Sequence, residues 1–162
     1  MNTCGKIMMV DDDQKLGQSY KRSLKRLGLE IEIYDSAQKA LSDLTSDWPG
    51  IVVTDIMMPG IDGLTVMKKV KYFDPDLPVV LVTGRGDIPM AVEAIRDGAY
   101  DFLEKPVEME SLQKVMEHAL EKRRFVLELR KLRAQIASYD QSSLTLMGTS
   151  PSMEQLRKII RN

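Results

Sequence analysis

Ile7-Met8-Met9-Val10-Asp11-Asp12-Asp13 decides how the rest of the chain is read. Four apolar residues run without a polar interruption and stop abruptly at three acids. A strand with one wet face alternates apolar and polar residues, whereas an unbroken apolar run belongs to a strand covered on both faces, as in a parallel sheet. The same grammar recurs downstream. Ile51-Val52-Val53-Thr54 ends in Asp55, Val79-Val80-Leu81-Val82 ends in Thr83-Gly84, and Tyr100 to Leu103 ends in Glu104-Lys105-Pro106. Ile31 and Ile33 alternate with Glu30 and Glu32, which marks a half-exposed strand.

Between these runs lie segments of helical period. Leu16, Tyr20, Leu24 and Leu27 share one face and Gly28 is a stop. Asp13 and Ser36 are placed to cap the helices that follow them. Leu64, Met67 and Val70 follow the Met58-Pro59-Gly60 break, and a fourth helix covers Ile88 to Arg96. Five strand–helix units in strict alternation predict an α/β fold with a doubly wound five-stranded parallel sheet of order 2-1-3-4-5. Five strands are too few for an eight-stranded barrel.

The last part of the chain obeys a different rule. No Pro or Gly occurs from Ser111 to Tyr139. Leu112, Val115 and Ala119 recur at helical spacing, and Phe125, Leu129, Leu132, Ile136 and Tyr139 then step four, three, four, three. That is the seam of a coiled coil. The expectation is an extended last helix over 111–140 that projects beyond the domain and pairs two copies through Leu112, Val115, Ala119, Phe125, Leu129, Leu132 and Ile136. The basic residues at 122–133 lie mostly off this seam and read as a solvated flank, with no direct DNA contact. Asp140-Gln141-Ser142-Ser143 reads as a break, and Ser150-Pro151 as the start of another helix.

Composition bounds the function. The 162 residues carry 23 Lys and Arg against 24 Asp and Glu, so the basic excess of a domain that grips nucleic acid is missing. Hydrophobic residues at 43% are too many for a disordered chain. Cys4 is the single cysteine, which excludes a disulfide scaffold and fits a reducing, cytoplasmic setting. No apolar run is long enough to span a membrane.

The chemistry lies where the strands end. Asp11, Asp12, Asp55, Thr83 and Lys105 all fall at carboxyl ends of strands, the side on which open α/β sheets bind ligands next to a switch in strand order. Three crowded carboxylates call for a cation, and an all-oxygen set without His or Cys suits Mg²⁺ (or Mn²⁺), not zinc. A carboxylate beside Mg²⁺ can attack a phosphoryl group. Lys105 and the Thr83 hydroxyl then remain to balance the charge on its oxygens.

Met9-Val10-Asp11-Asp12-Asp13, Thr54-Asp55-Ile56-Met57-Met58-Pro59-Gly60, Val82-Thr83-Gly84 and Phe102-Leu103-Glu104-Lys105-Pro106 together resemble the receiver domain of two-component response regulators, over about 5–122. The resemblance implies that Asp55 accepts a phosphoryl group from a sensor histidine kinase. It implies that Asp12, Asp55 and the Met57 backbone carbonyl hold Mg²⁺, with Asp11 acting through a water. Thr83 and Phe102 would be the switch pair, and the Lys105–Pro106 bond would be cis. Phe102 stands where many members have Tyr, so an output hydrogen bond from that position is missing.

A finer likeness, in Asp74-Pro75-Asp76-Leu77-Pro78, in 81–92 and in Glu121-Lys122-Arg123-Arg124, is to NtrC-class regulators of C4-dicarboxylate transport. Residues 146–153 resemble the opening of that class's AAA+ ATPase domain. The implied organisation is a receiver at 1–122, a dimerisation linker over 111–140, and a linker with the truncated start of an AAA+ domain at 141–162. Two rivals are a Mg²⁺-dependent phosphohydrolase on a similar sheet and a pseudo-receiver that only dimerises. Met57 stands where the hydrolases place a second Asp as general acid, and a pseudo-receiver is expected to have lost Asp55 or Lys105.

Overall fold

The computed structural model describes residues 5–84 and 86–147 of the chain. Five strands, β1 (Lys6–Val10), β2 (Glu30–Tyr34), β3 (Gly50–Asp55), β4 (Val79–Thr83) and β5 (Asp101–Glu104), form one sheet in the order β2-β1-β3-β4-β5. Every pairing is parallel. Four helices connect them, α1 (Gln14–Arg26), α2 (Ala37–Asp43), α3 (Gly63–Phe73) and α4 (Ile88–Arg96), and α5 (Met109–Met147) follows β5. The predicted α/β architecture and strand order are both present. The two edge strands are β2 and β5.

Two apolar cores lie on opposite faces of the sheet because successive strand residues point to opposite sides. Met8, Val10, Val52, Val79 and Leu81 face one way and pack with Ala37, Ala40, Val66, Met67, Val70 and Ala94 of α2, α3 and α4. Ile7, Met9, Ile51, Val53, Val80 and Val82 face the other way and pack with Tyr20 and Leu24 of α1 and with Leu112, Met116, Ala119 and Leu120 of α5. The helices start where side chains can satisfy their first amides. Asp13, Ser36, Asp62 and Asp87 each accept from a backbone N–H three residues on.

The structure corrects two expectations about the last helix. Leu112 and Ala119, assigned to a seam between two chains, are buried in the second core, and Val115 packs against it. They share a stripe with the later residues only because one helix serves two surroundings. The second correction is that α5 does not break at Asp140-Gln141-Ser142-Ser143 but continues to Met147. None of those four residues is a Gly or Pro, and Ser and Asn-like polar residues only mildly disfavour a helix interior. The basic stretch also divides: Arg123 is buried, while Lys122 and Arg124 are exposed. The chain separates into two units, one ending at Phe125 and the other starting at Val126. In the second unit, Leu129, Leu132, Ile136 and Tyr139 are exposed apolar residues at the seam spacing, and Phe125 at the end of the first is 62% exposed. Cys4, Arg85 and the Ser150-Pro151 segment lie outside the described residues.

Candidate phosphoacceptor site

The sheet register brings the sequence-assigned residues together. Val10 pairs with Thr54, Asp55 with Val82, and Thr83 with Glu104, so Asp11, Asp55, Thr83 and Lys105 leave the sheet at one edge. The ladder continues past the strands: the Asp11 amide donates to Tyr34 O, the Ile56 amide to Val82 O, and the Lys105 amide to Thr83 O at 2.7 Å. The nucleophile candidate and the lysine are therefore fixed by backbone bonds.

Carboxylate oxygens of Asp11, Asp12 and Asp55 all lie within 4.8 Å of one another. Asp11 and Asp55 are buried and Asp12 is exposed. Lys105 Nζ donates to Asp55 Oδ2 at 3.0 Å and to Asp11 Oδ2 at 3.4 Å. The other Asp11 oxygen accepts from the Asp13 amide at 2.9 Å, and the other Asp55 oxygen accepts from the Met57 amide at 3.3 Å. Asp55, Met57, Gly84 and Lys105 line a cleft of about 470 Å³ that opens above the carboxylates. Thr83 is fully buried at the end of β4, and the Lys105–Pro106 bond is cis.

The electrostatics follow from three acids facing one ammonium. Burial pushes the Asp11 carboxyl above its ordinary value, and neighbouring Asp55 adds to the rise, while the Asp13 amide and Lys105 oppose it. For Lys105, burial alone would lower the ammonium's pKa. The hydrogen bond to Asp55 and the charges of Asp11 and Asp55 outweigh burial and hold it above the usual lysine value. The cluster keeps two negative charges beyond what Lys105 balances. Hard oxygen donors this close, with that excess, fit a small divalent cation.

Phe102, on β5, is half-buried against the first core. A Cβ on Gly86 would come within 2.9 Å of the Phe102 ring and 3.0 Å of the Thr83 methyl, so the loop after β4 touches both Thr83 and Phe102 where a side chain would force a neighbour to shift. Gly63 was missed altogether: a Cβ there would collide with the Asp55 carbonyl and Ile56, which lets α3 start directly against the residue that follows Asp55. Neither requirement has a sequence signal, because a glycine needed for close approach looks like any other.

The profile of the response regulator receiver domain matches residues 7–117. The C4-dicarboxylate transport transcriptional regulatory protein DctD of Rhizobium meliloti (strain 1021) is 44% identical over 162 residues, all of this chain and 35% of that protein. The structure of the response regulator StyR superimposes with a TM-score of 0.81 at 30% identity, over 98% of this chain and 77% of that one. The beryllofluoride-activated NtrC4 receiver domain dimer gives a TM-score of 0.67 at 30% identity, over 73% of this chain and 98% of that one. The chain spans about a third of the length of the curated DctD relatives it matches. With the fold, the strand-end acids and the profile in agreement, the chain belongs to the response regulator receiver family, and it is of the DctD and NtrC type.

Proposed function

We propose that this chain takes a phosphoryl group from a sensor histidine kinase onto Asp55 and uses it to alter how two copies pair. The observation that carries the reading is Asp55 itself: a buried carboxylate 3.0 Å from Lys105 Nζ, at the floor of an open cleft, with two more carboxylates beside it. An Asp55 oxygen attacks the phosphorus of the kinase's phosphohistidine. The P–N bond breaks, and the imidazole nitrogen keeps its electron pair and takes up a proton. Lys105 moves from pairing with Asp55 to pairing with the arriving phosphoryl oxygens, and the Thr83 hydroxyl donates to another. Asp11, Asp12, Asp55 and the Met57 carbonyl are the groups to hold Mg²⁺ or Mn²⁺. Bound there, the ion would offset the charge of the cluster and of the incoming phosphoryl oxygens.

Phosphorylation then shifts a two-state equilibrium in which Thr83, Gly86 and Phe102 rearrange together. The exposed stripe Phe125, Leu129, Leu132, Ile136 and Tyr139 is the surface through which α5 pairs with a second copy. In the full-length regulator this pairing controls an attached AAA+ ATPase that acts on polymerase carrying the nitrogen-type sigma factor, in the cytoplasm and in response to C4-dicarboxylates. The chain is not a turnover enzyme: Met57, two residues after Asp55, supplies no proton to a leaving group, which disfavours a phosphohydrolase.

The test is mass spectrometry after incubation with acetyl phosphate and Mg²⁺. An adduct on Asp55 that disappears in Asp55→Asn is expected. No adduct on the parent chain, or an undiminished one on the variant, overturns the reading. Sedimentation with and without beryllofluoride and Mg²⁺ reads the pairing.

A further inference from the structure

A second buried charge cluster sits away from the acidic cleft and joins three elements. Arg123 of α5 is 1% exposed. Its Nη2 donates to Asp74 Oδ2 at 2.9 Å and its Nε to the Trp48 carbonyl at 2.8 Å. Asp74 closes α3: its amide donates to Val70 O at 2.8 Å, and its own carbonyl accepts from the Leu77 amide. Its other carboxylate oxygen accepts from the Asp76 amide. Trp48 lies in the turn just before β3.

The other end of α3 touches the phosphoacceptor. The Gly63 amide donates to Ile56 O at 3.0 Å, and the missing Cβ lets its backbone press on the Asp55 carbonyl. Between these ends Gly63, Val66, Met67 and Val70 are buried, so the helix cannot flex away from the sheet without opening the core. Eleven residues make a rod of about 16 Å. One end of that rod lies against the residue after Asp55, and the other is capped by Asp74, whose carboxylate holds Arg123.

The Arg123 pair is an uneconomical way to add stability. Among the described residues, Nη1 of Arg123 and Nε1 of Trp48 are both buried without a hydrogen-bond partner, and a buried ion pair is often matched or bettered by apolar packing. What it supplies is position: a planar guanidinium held at two of its donors admits few placements of the helix that carries it. We infer that Arg123 and Asp74 are positioning residues that couple the phosphoacceptor loop to the root of α5 through α3, alongside the Thr83–Phe102 switch. A displacement of the backbone after Asp55 shifts α3 as a unit, Asp74 carries the shift to Arg123, and α5 responds from Ala119 onward. The inference rests on the phosphoacceptor reading.

The test is hydrogen exchange on the full chain, free and with beryllofluoride and Mg²⁺. In the parent, exchange is expected to change on binding both in 70–74 and in 119–125. In Asp74→Asn, whose amide still accepts from Arg123 but carries no charge, the change in 70–74 persists while that in 119–125 shrinks by about threefold or more. A pair that merely stabilises the fold lowers the melting temperature and leaves the ligand-induced change intact. An unchanged or less than about threefold smaller response in the variant overturns the inference, as does a parent whose 119–125 segment does not respond. If Asp74→Asn does not fold, Arg123→Lys is read in the same way. A parent that forms no adduct on Asp55 sinks the phosphoacceptor reading and this one with it; an adduct with an unresponsive 119–125 segment sinks this one alone.

Discussion

Two groups of buried charge sit in this small domain, and they are built on opposite principles. Around Asp55, three carboxylates face one ammonium. Around Arg123, a guanidinium pairs with the Asp74 carboxylate, and Lys71 and Asp76 lie within electrostatic reach. In the second, the cation has a matching carboxylate, although Arg123 Nη1 and Trp48 Nε1 have no hydrogen-bond partner among the described residues. The first has more acidic groups than cations, an arrangement that suits a bound cation. Charge imbalance under burial, more than charge itself, distinguishes the candidate phosphoacceptor cluster from the Arg123 pair.

Opposite responses to removal of a charge would establish that distinction. Arg123→Met removes the guanidinium that pairs with the buried Asp74 carboxylate, and a loss of about 3–5 kcal/mol is expected in urea unfolding. Asp12→Asn removes one of the crowded acids, so the metal-free protein is expected to be no less stable, while the stabilisation by Mg²⁺ disappears. If both variants destabilise alike, the contrast fails. Lys105→Met sharpens it. Without a divalent ion this variant unfolds more easily than the parent, and Mg²⁺ at about 100 times its Kd restores about 2.7 kcal/mol in thermal unfolding.

Between the clusters stands Asp62, whose carboxylate accepts from the Thr65 amide at 2.8 Å to start α3. Asp62→Ala is expected to cost about 1 kcal/mol in the same assay. The subtlest effect is on pH dependence. Asp11 has a folded pKa raised above its ordinary 3.8, so the folded state binds a proton more readily than the unfolded chain. The corresponding stability is present at low pH and is lost as pH rises from 3.8 through the raised value. Comparing the metal-free parent with Asp11→Asn across that window isolates the contribution, which Mg²⁺ is expected to abolish by favouring the ionised form.

Much of this was readable before any coordinates. Val10-Asp11, Thr54-Asp55 and Val82-Thr83 announce themselves because strand ends combine an apolar run with a sudden polar residue, and parallel strands put all such ends on one side. The Asp74–Arg123 pair could not be read in this way. Asp74 precedes a proline and looks like any turn residue, and Arg123 sits in a basic stretch that looks solvated; 49 residues separate them. Leu112 and Ala119 were misassigned for a related reason. Helical period shows that a stripe is apolar but not whether its partner is the chain's own sheet or another molecule.

The two edge strands carry a consequence of their own. Glu30 and Glu32 are exposed along β2, and Glu104 is exposed on β5 beside half-buried Asp101. A neighbouring molecule trying to prolong the sheet at either border would bring like charges face to face, which discourages ribbon growth and amyloid-like stacking. Self-association is thereby steered away from backbone-to-backbone joining and left to side chains on helical surfaces, where it can be reversed.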